Sequence, residues 1–217
     1  MLTAKSASVR TREICELAPI VPVLVLEDAA FARPLAEALV AGGLPALEVT
    51  LRTEAALDVI AAMADVQGGI VGAGTLVTPE DVRNAKAAGA QFGVSPGATE
   101  ALIATCEAEE LPLLPGAATA SEAMHLFERG YDMLKFFPAE ASGGAPALKA
   151  IGAPLPQISF CPTGGVSPDN AERYLQLSNV VCAGGSWVAP QQMIATGAWA
   201  DIETLARAAS TLGHGFV

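Results

Sequence analysis

The 217-residue sequence predicts one (β/α)8 barrel domain spanning residues 1–217. Eight short apolar runs recur along the chain, separated by stretches rich in Ala, Leu and Glu at helical spacing. The apolar runs are continuous rather than alternating, which is typical of parallel strands buried on both faces. Eight β-α units of about 20–25 residues each therefore favour a (β/α)8 barrel, which would be smaller than the roughly 250 residues usual for this fold.

The elements follow one another in regular order. The predicted strands are residues 21–26, 46–51, 69–75, 92–95, 111–114, 133–137, 157–161 and 180–183. The clearest predicted helices are residues 29–41, 54–64, 79–88, 100–109 and 121–129. Thr78-Pro79 and Ser167-Pro168 each place a capping residue before a proline, which predicts helix starts. A short arm or helix is predicted over about residues 1–19.

A doubly wound open sheet is the competing architecture. It usually carries a GxGxxG turn after its first strand, whereas here Glu27-Asp28 follows the first predicted strand. No linker, low-complexity block or shift in composition divides the chain. The barrel is therefore the favoured fold, in a single domain.

Composition narrows the class of protein. Hydrophobic residues make up 52% and charged residues 16%, so a large core is expected. No apolar run reaches the ~18 residues needed to span a membrane, and the N-terminus lacks the apolar stretch of a signal peptide. The net charge of −11 argues against nucleic acid as a partner. Scattered cysteines disfavour a metal site or a disulfide framework and favour a cytoplasmic location; they are Cys15, Cys106, Cys161 and Cys182.

Lys135 lies in the middle of the sixth predicted strand, where a lysine is unexpected. The chain has four lysines, and Lys5, Lys86 and Lys149 stand in polar or helical surroundings. A buried ammonium is costly and tends to lose its proton, and the neutral amine attacks carbonyls to form a Schiff base. The alternative is a strand-end lysine whose ammonium reaches water.

Glu48 is the clearest acid within a predicted strand. Strand alternation puts Glu48, Thr50 and Arg52 on one face of the second strand. It also puts Lys135 and Phe137 on one face of the sixth strand. Glu48 is either a structural partner of Arg52 or a general acid or base. A buried lysine and a buried glutamate that face one lumen would compensate each other's charge.

Two glycine pairs follow the seventh and eighth predicted strands, where barrel enzymes frequently bind phosphate. Glycines let an anion approach backbone N–H groups. The candidate phosphate-binding residues are Gly164, Gly165, Gly185 and Ser186. Tight turns are the alternative reading of both pairs.

Three further strand ends supply candidate lumen residues. Pro96 and Thr163 follow the fourth and seventh strands. Thr75, after the third strand, is either a hydroxyl donor to a carboxylate or a cap for the helix that begins near Thr78. The sequence therefore gathers polar groups at the ends of several predicted strands, where barrels place their chemistry.

From about Ile20 to Ala208, the chain resembles the 2-keto-3-deoxy-6-phosphogluconate (KDPG) aldolase family, also described as 4-hydroxy-2-oxoglutarate aldolase. Its motifs are Gly43-Leu-Pro-Ala-Leu-Glu48-Val-Thr-Leu-Arg52, Gly130-Tyr-Asp-Met-Leu-Lys135-Phe-Phe-Pro-Ala-Glu-Ala-Ser-Gly143, Val71-Gly-Ala-Gly-Thr75, Ser95-Pro-Gly97, Cys161-Pro-Thr-Gly-Gly165 and Gly184-Gly-Ser-Trp187. By this resemblance Lys135 forms the imine and Glu48 is the general acid/base. Arg52 and Thr75 would hold the substrate carboxylate, and Gly164, Gly165 and Ser186 would hold the phosphate.

The resemblance implies a class I aldolase of the Entner–Doudoroff pathway with no metal or other cofactor. Its substrate would be a phosphorylated keto acid, cleaved reversibly to pyruvate and glyceraldehyde 3-phosphate, with 4-hydroxy-2-oxoglutarate as a second substrate. It also implies a homotrimer. Two alternatives remain open: an aldolase for the C4-epimeric phosphogalactonate substrate, for which Thr163 is the residue to watch, and a non-catalytic phosphosugar-binding barrel.

Overall fold

The computed structural model describes residues 2–213, in which strands and helices alternate along the chain. Residues 1 and 214–217 of the predicted domain lie outside the described part. The strands are β1 Ile20–Leu24, β2 Ala46–Thr50, β3 Ile70–Gly74, β4 Phe92–Val94, β5 Leu113–Leu114, β6 Gly116–Ala117, β7 Met133–Phe136, β8 Ser159–Pro162 and β9 Ala183–Gly185. The helices are α1 Ala4–Cys15, α2 Ala32–Ala41, α3 Ala56–Met63, α4 Pro79–Ala87, α5 Glu100–Ala108, α6 Ala120–Glu128, α7 Gly144–Gly152, α8 Ala171–Leu175, α9 Gln191–Thr196 and α10 Trp199–Ser210.

The strands pair in parallel and curl into a barrel. One sheet has the order β5-β4-β3-β2-β1-β9, and a second has the order β6-β7-β8. Two single bridges join this part of the barrel: Phe160 of β8 pairs with Val180, ahead of β9, and Thr163, the residue after β8, pairs with Gly184 of β9. At the other seam, β5 and β6 are separated only by Pro115. The predicted (β/α)8 fold is confirmed.

Most predicted strand bounds lie within two residues of the observed ones, and the fifth and eighth strands differ more. The fifth strand is divided at Pro115, which has no N–H to donate to a ladder. Its first part pairs with β4 and its second part with β7, so the chain bends at the proline and changes neighbours. The eighth strand begins at Ala183 rather than Val180, because its ladder with β1 starts where Ile20 faces Ala183.

Within residues 2–213, the helices α1, α4, α5 and α6 each begin after a threonine whose side chain caps the helix. Thr78 caps α4, and Thr119 caps α6 through a reciprocal contact with Glu122. The N–H of Ala118 is the main reason why the pKa of Glu122 lies below its usual value. The start predicted at Ser167-Pro168 is displaced, since α8 begins only at Ala171. No helix among residues 2–213 has the length and apolar character that crossing a membrane requires.

Helix α1 covers the N-terminal end of the barrel. The Ser8 hydroxyl accepts hydrogen bonds from the N–H groups of Asp132 and Met133 at 3.0 and 2.8 Å. Arg12 donates to the Ser159 hydroxyl at 2.9 Å and lies 3.3 Å from the Asp132 carboxylate. These bonds attach the helix to the first residues of β7 and β8 and to the residue before β7.

The barrel interior beneath the C-terminal strand ends is packed with side chains. Its buried cluster takes members from α1 and from the strands: Ile14, Cys15, Val21, Ala46, Phe92, Val94, Leu114, Met133, Cys161, Val181 and Cys182. A second, larger apolar cluster lies between the strands and the surrounding helices. The polar groups at the C-terminal strand ends therefore lie above a packed layer of buried side chains.

Candidate active site

A cavity of about 410 Å3 opens at the C-terminal ends of the strands. All of the candidate site residues except Gly185 line it: Glu48, Arg52, Thr75, Pro96, Lys135, Phe137, Thr163, Gly164, Gly165 and Ser186. This is the end of a barrel at which enzymes of this fold carry their chemistry. The roles assigned to these residues stay predictions, whereas their assembly into one cavity is a feature of the structure.

Lys135 and Glu48 form a buried ion pair at the bottom of this cavity. Lys135 Nζ lies 3.0 Å from Glu48 Oε1, and the two side chains are 7% and 4% exposed. The lysine comes from β7 and the glutamate from β2. Glu48 therefore pairs with Lys135 rather than with Arg52, and the Lys135 ammonium does not extend into open water. The contact is short enough for a proton to pass directly between the two groups.

A glycine on the neighbouring strand makes room for this carboxylate. Strands β2 and β3 run side by side, with Glu48 opposite Gly72 and Thr50 opposite Gly74. A Cβ atom at Gly74 would overlap Glu48 Oε1 and lie 2.7 Å from its Cγ. Only a residue without a side chain leaves Glu48 free to turn toward Lys135.

Arg52 and Thr75 supply a cation and a hydroxyl near the rim. Arg52 is exposed, and within residues 2–213 its guanidinium has no ion-pair partner. Thr75 has φ +64°, a left-handed conformation that is rare for a β-branched residue. Such strained residues cluster at functional sites. The two side chains suit a carboxylate, which accepts hydrogen bonds from both donor types.

Phe137, Pro96 and Thr163 form other parts of the wall. Lys135 Nζ lies 5.4 Å from the centroid of the Phe137 ring, within the range of a cation–π contact. Thr163 is 6% exposed, and its hydroxyl lies 3.9 Å from Cys161 Sγ. The ring shields one side of the amine from water, and the threonine presents a hydroxyl to the cavity.

Glycines form much of one side of the cavity, next to Thr163 and Ser186. Gly164 and Gly165 have φ values of +102° and +79°, which side chains would oppose. Residues 161–167 and 183–187 contain no lysine or arginine. An anion here would be held by N–H dipoles and the Ser186 hydroxyl rather than by a full positive charge.

Gly184, not Gly185, faces the cavity on the last strand. A Cβ at Gly184 would lie 2.9 Å from Thr163 Cγ2, whereas one at Gly185 would overlap the Trp187 ring. Val23 and Val166 also line the cavity and were not predicted, whereas Thr50, which strand alternation puts on the face of Glu48 and Arg52, lines it together with them. The Thr50 hydroxyl donates to the Leu24 carbonyl at 2.9 Å.

Three free thiols meet below the ion pair, from Cys15, Cys161 and Cys182. Hydrogen bonding from Cys15, and next from Cys182, lowers the pKa of Cys161, and the charge of Lys135 acts in the same direction. The contact with Cys161 raises the pKa of Cys15, and the contact with Cys15 raises that of Cys182. Residues 2–213 contain no group of three or more His, Cys, Asp or Glu side chains placed to hold a metal ion.

Comparisons with known proteins agree with this geometry. A protein-family model described as KDPG and KHG aldolase matches residues 11–205. The 2-dehydro-3-deoxy-phosphogluconate aldolase of Pseudoalteromonas atlantica is 50% identical over 206 residues, which cover 94% of this chain and 96% of the relative.

Two solved structures share the fold over nearly their whole length. The KDPG aldolase of Zymomonas mobilis ZM4 with 3-phosphoglycerate is 46% identical with a TM-score of 0.88, and the match covers 94% of this chain and 97% of that one. The KDPG aldolase of Legionella pneumophila with pyruvate captured as a covalent carbinolamine is 44% identical with a TM-score of 0.89, and the match covers 92% and 98%. The resemblance predicted from the motifs is thereby confirmed: the chain belongs to the KDPG and KHG aldolase family.

Proposed function

We propose that this protein is a Schiff-base aldolase that reversibly cleaves 2-keto-3-deoxy-6-phosphogluconate to pyruvate and glyceraldehyde 3-phosphate. The observation that carries the proposal is the Lys135–Glu48 pair, with Nζ 3.0 Å from Oε1 in a cavity at the C-terminal strand ends. A non-catalytic sugar-binding barrel has little use for a buried amine next to a buried acid. The Legionella relative that holds pyruvate as a carbinolamine supports the same chemistry, because this adduct precedes an imine.

The reaction begins when Glu48 takes a proton from Lys135. The neutral Nζ attacks the C2 carbonyl of the substrate to give a carbinolamine. Glu48 returns its proton to the carbinolamine hydroxyl, which leaves as water, so that a protonated imine and the Glu48 carboxylate remain. Glu48 then removes the proton of the C4 hydroxyl, directly or through a water. As the C3–C4 bond breaks, its electron pair moves into the imine to form an enamine, and the aldehyde is released. Protonation of the enamine at C3 and hydrolysis of the imine release pyruvate and restore Lys135.

The other cavity residues bind the two ends of the substrate. Arg52 and Thr75 hold the carboxylate next to the reacting carbonyl. Gly164, Gly165 and Ser186 hold the phosphate at the opposite side, with Gly184 forming the wall between Ser186 and Thr163. The matching family model covers both KDPG and KHG aldolases, so 4-hydroxy-2-oxoglutarate, cleaved to pyruvate and glyoxylate, is proposed as a second substrate.

Reductive trapping tests the Schiff base. Borohydride added with pyruvate should reduce the imine and leave a carboxyethyl group on Lys135 alone, as located by mass spectrometry of the digested protein. Lys5, Lys86 and Lys149 serve as internal controls within the same digest. Labelling and turnover should both persist in EDTA, because the imine accepts the electrons that a metal would otherwise stabilise. A label on another lysine, or loss of activity on chelation, would contradict the proposal.

Replacing Gly164 by valine is expected to raise KM for the phosphorylated substrate by roughly tenfold or more. The added side chain would oppose the φ of +102° and displace the N–H groups that meet the phosphate. Trapping with pyruvate should change little, since pyruvate binds at Arg52 and Thr75. Gly97→Val is the matched control, because a Cβ there meets nothing within 4 Å. Equal losses in KM and in trapping would mean that the loop supports the barrel and does not bind phosphate.

The preference of the site for one of the two C4 epimers of the substrate can be measured separately. We propose that the gluconate configuration at C4 is preferred and that the hydroxyl of Thr163, which lines the cavity, contributes to the choice. Turnover of the two C4 epimers by the protein and by Thr163→Val decides this. The proposal fails if the galactonate epimer is cleaved faster, or if the variant keeps the same ratio.

We also propose a single-domain chain that assembles as a homotrimer and works in the cytoplasm. The family resemblance supports the trimer. Residues 2–213 also expose five large apolar side chains that contacts between copies of the chain could bury: Val9, Leu17, Val77, Met124 and Phe127. Four free, buried thiols suit a reducing compartment. Light scattering in solution tests the trimer.

A further inference from the structure

The loop that is proposed to bind phosphate is supported from behind by Glu140. This residue follows β7, and its N–H donates to the Gly164 carbonyl at 3.0 Å, while the N–H of Ala139 donates to the Thr163 carbonyl at 2.8 Å. The position of a Cβ at Gly165 would be 2.8 Å from Glu140 Cβ and 2.7 Å from its Cγ. The side chain of Glu140 therefore packs directly against the loop.

Glu140 places a negative charge beside a site meant for an anion. No lysine or arginine stands in either glycine-rich loop to offset it. A carboxylate free to turn toward the bound phosphate would repel it. The position of this side chain therefore bears on phosphate affinity.

Tyr174 fixes that position. The tyrosine lies in α8 and is 1% exposed, and its hydroxyl donates a short hydrogen bond to Glu140 Oε1. Burial, and next the bond to Glu140, raise the pKa of Tyr174, so the hydroxyl stays protonated and remains a donor across the working pH range. The same Oε1 lies 3.3 Å from a Cβ position at Gly144, the first residue of α7, where the helix dipole favours a negative charge.

Asn170 and Arg173 lie beside the contact between Tyr174 and Glu140. Glu140, Tyr174, Asn170 and Arg173 line a second cavity of about 300 Å3 behind the loop. Asn170 holds the loop from its other side, since its amide donates to the Gly165 carbonyl at 3.0 Å and accepts from the Ser167 N–H at 2.8 Å. The loop is thus held by Asn170 on one side and by the Tyr174–Glu140 pair on the other.

We propose that Tyr174 is a positioning residue for phosphate recognition: its hydroxyl keeps the Glu140 carboxylate turned away from the phosphate and so holds Gly164 and Gly165 ready for the anion. The inference rests on the proposed function, because it concerns the phosphate end of the same substrate. Tyr174 itself does not line the catalytic cavity. It acts through Glu140.

The test compares two buried tyrosines. Tyr174→Phe removes the hydroxyl that holds Glu140, whereas Tyr131→Phe removes a hydroxyl that is equally buried and has no hydrogen-bond partner within the described residues. KM for the phosphorylated substrate should rise roughly tenfold in Tyr174→Phe, the scale of a hydrogen bond to a charged group. It should stay unchanged in Tyr131→Phe. Borohydride trapping with pyruvate, which carries no phosphate, should proceed at the parental rate in both.

A second substitution separates charge from packing. Adding Glu140→Gln to Tyr174→Phe leaves the side chain unanchored but removes its charge, so KM should return most of the way to the parental value. The inference is overturned if Tyr174→Phe leaves KM unchanged, if it slows trapping as much as it raises KM, or if Glu140→Gln gives no rescue. Failure of the proposed function has a different signature, because the parental protein would then not trap pyruvate at Lys135 at all.

Discussion

Lys135→Met is expected to lower aldol turnover by on the order of 10⁶-fold, the scale observed when a covalent nucleophile is removed. Methionine fills a similar volume but has no amine, so neither the carbinolamine nor the imine can form. The measurement is the initial rate of cleavage, together with borohydride trapping, which should yield no labelled peptide. Lys149→Met is the matched control, since Lys149 is exposed on α7 and lies outside the cavity. A Lys135→Met variant with activity near the parental level would refute the mechanism.

The same variant should also be less stable. Glu48, whose side chain is 4% exposed, would lose its ion-pair partner. Breaking a buried pair on one side usually costs about 3–5 kcal/mol, because a buried charge is left without compensation. Denaturant unfolding should therefore show a lower free energy of unfolding for Lys135→Met. Adding Glu48→Gln should recover much of this loss while activity stays absent, which separates the catalytic effect of the lysine from its effect on folding.

Glu48→Gln is expected to reduce aldol turnover by roughly 10²–10⁴-fold, the usual contribution of general acid–base catalysis. The amide oxygen of glutamine can still accept a hydrogen bond from Lys135, so the amine remains in place. It cannot take the proton of the C4 hydroxyl, and carbon–carbon cleavage stalls. Pyruvate should still be trapped on Lys135 to some degree, which shows the imine step separately from cleavage.

Glu37→Gln is the control for Glu48→Gln, because it also removes a carboxylate that belongs to an ion pair but lies outside the cavity. Glu37 lies 3.7 Å from Arg33 on the surface of α2, with the glutamate side chain 58% exposed. Its loss should leave turnover unchanged. Cleavage at the parental rate in Glu48→Gln would instead make Glu48 a structural partner of Lys135 and would assign the proton transfer to another group.

Periodicity in the sequence was sufficient to predict the barrel, because parallel strands buried on both faces leave continuous apolar runs. It was insufficient at Pro115 and Val180. At both places the strand bounds depend on which neighbouring strand supplies the hydrogen bonds, and an apolar run carries no information about its neighbours. Local apolarity therefore predicts that a strand exists better than it predicts where its ladder begins.

The candidate site, too, could be predicted from the sequence only in part. Lys135 and Glu48 stood out because each is an ionisable residue inside an apolar strand, and strand alternation pointed both to one lumen. Gly184 and Gly185 could not be separated, since two adjacent glycines have no side chains whose alternation can be followed. The contact between Tyr174 and Glu140 gave no sequence signal, because the two residues are 34 positions apart and meet only when α8 packs behind the loop.

Closure of one end of the barrel by α1 has a consequence for kinetics. Within residues 2–213, the packed barrel interior and α1 close the N-terminal end. The substrate and both products therefore enter and leave by the same opening at the C-terminal strand ends. In the proposed mechanism, pyruvate stays bound to Lys135 at the bottom of the cavity, while the phosphorylated aldehyde lies nearer Gly165 and Ser186, which are exposed. The aldehyde must depart before pyruvate is released, and in the condensation direction pyruvate must enter first. An aldehyde that arrives early would occupy the mouth as a dead-end complex, so we expect the aldehyde to inhibit its own condensation at high concentration.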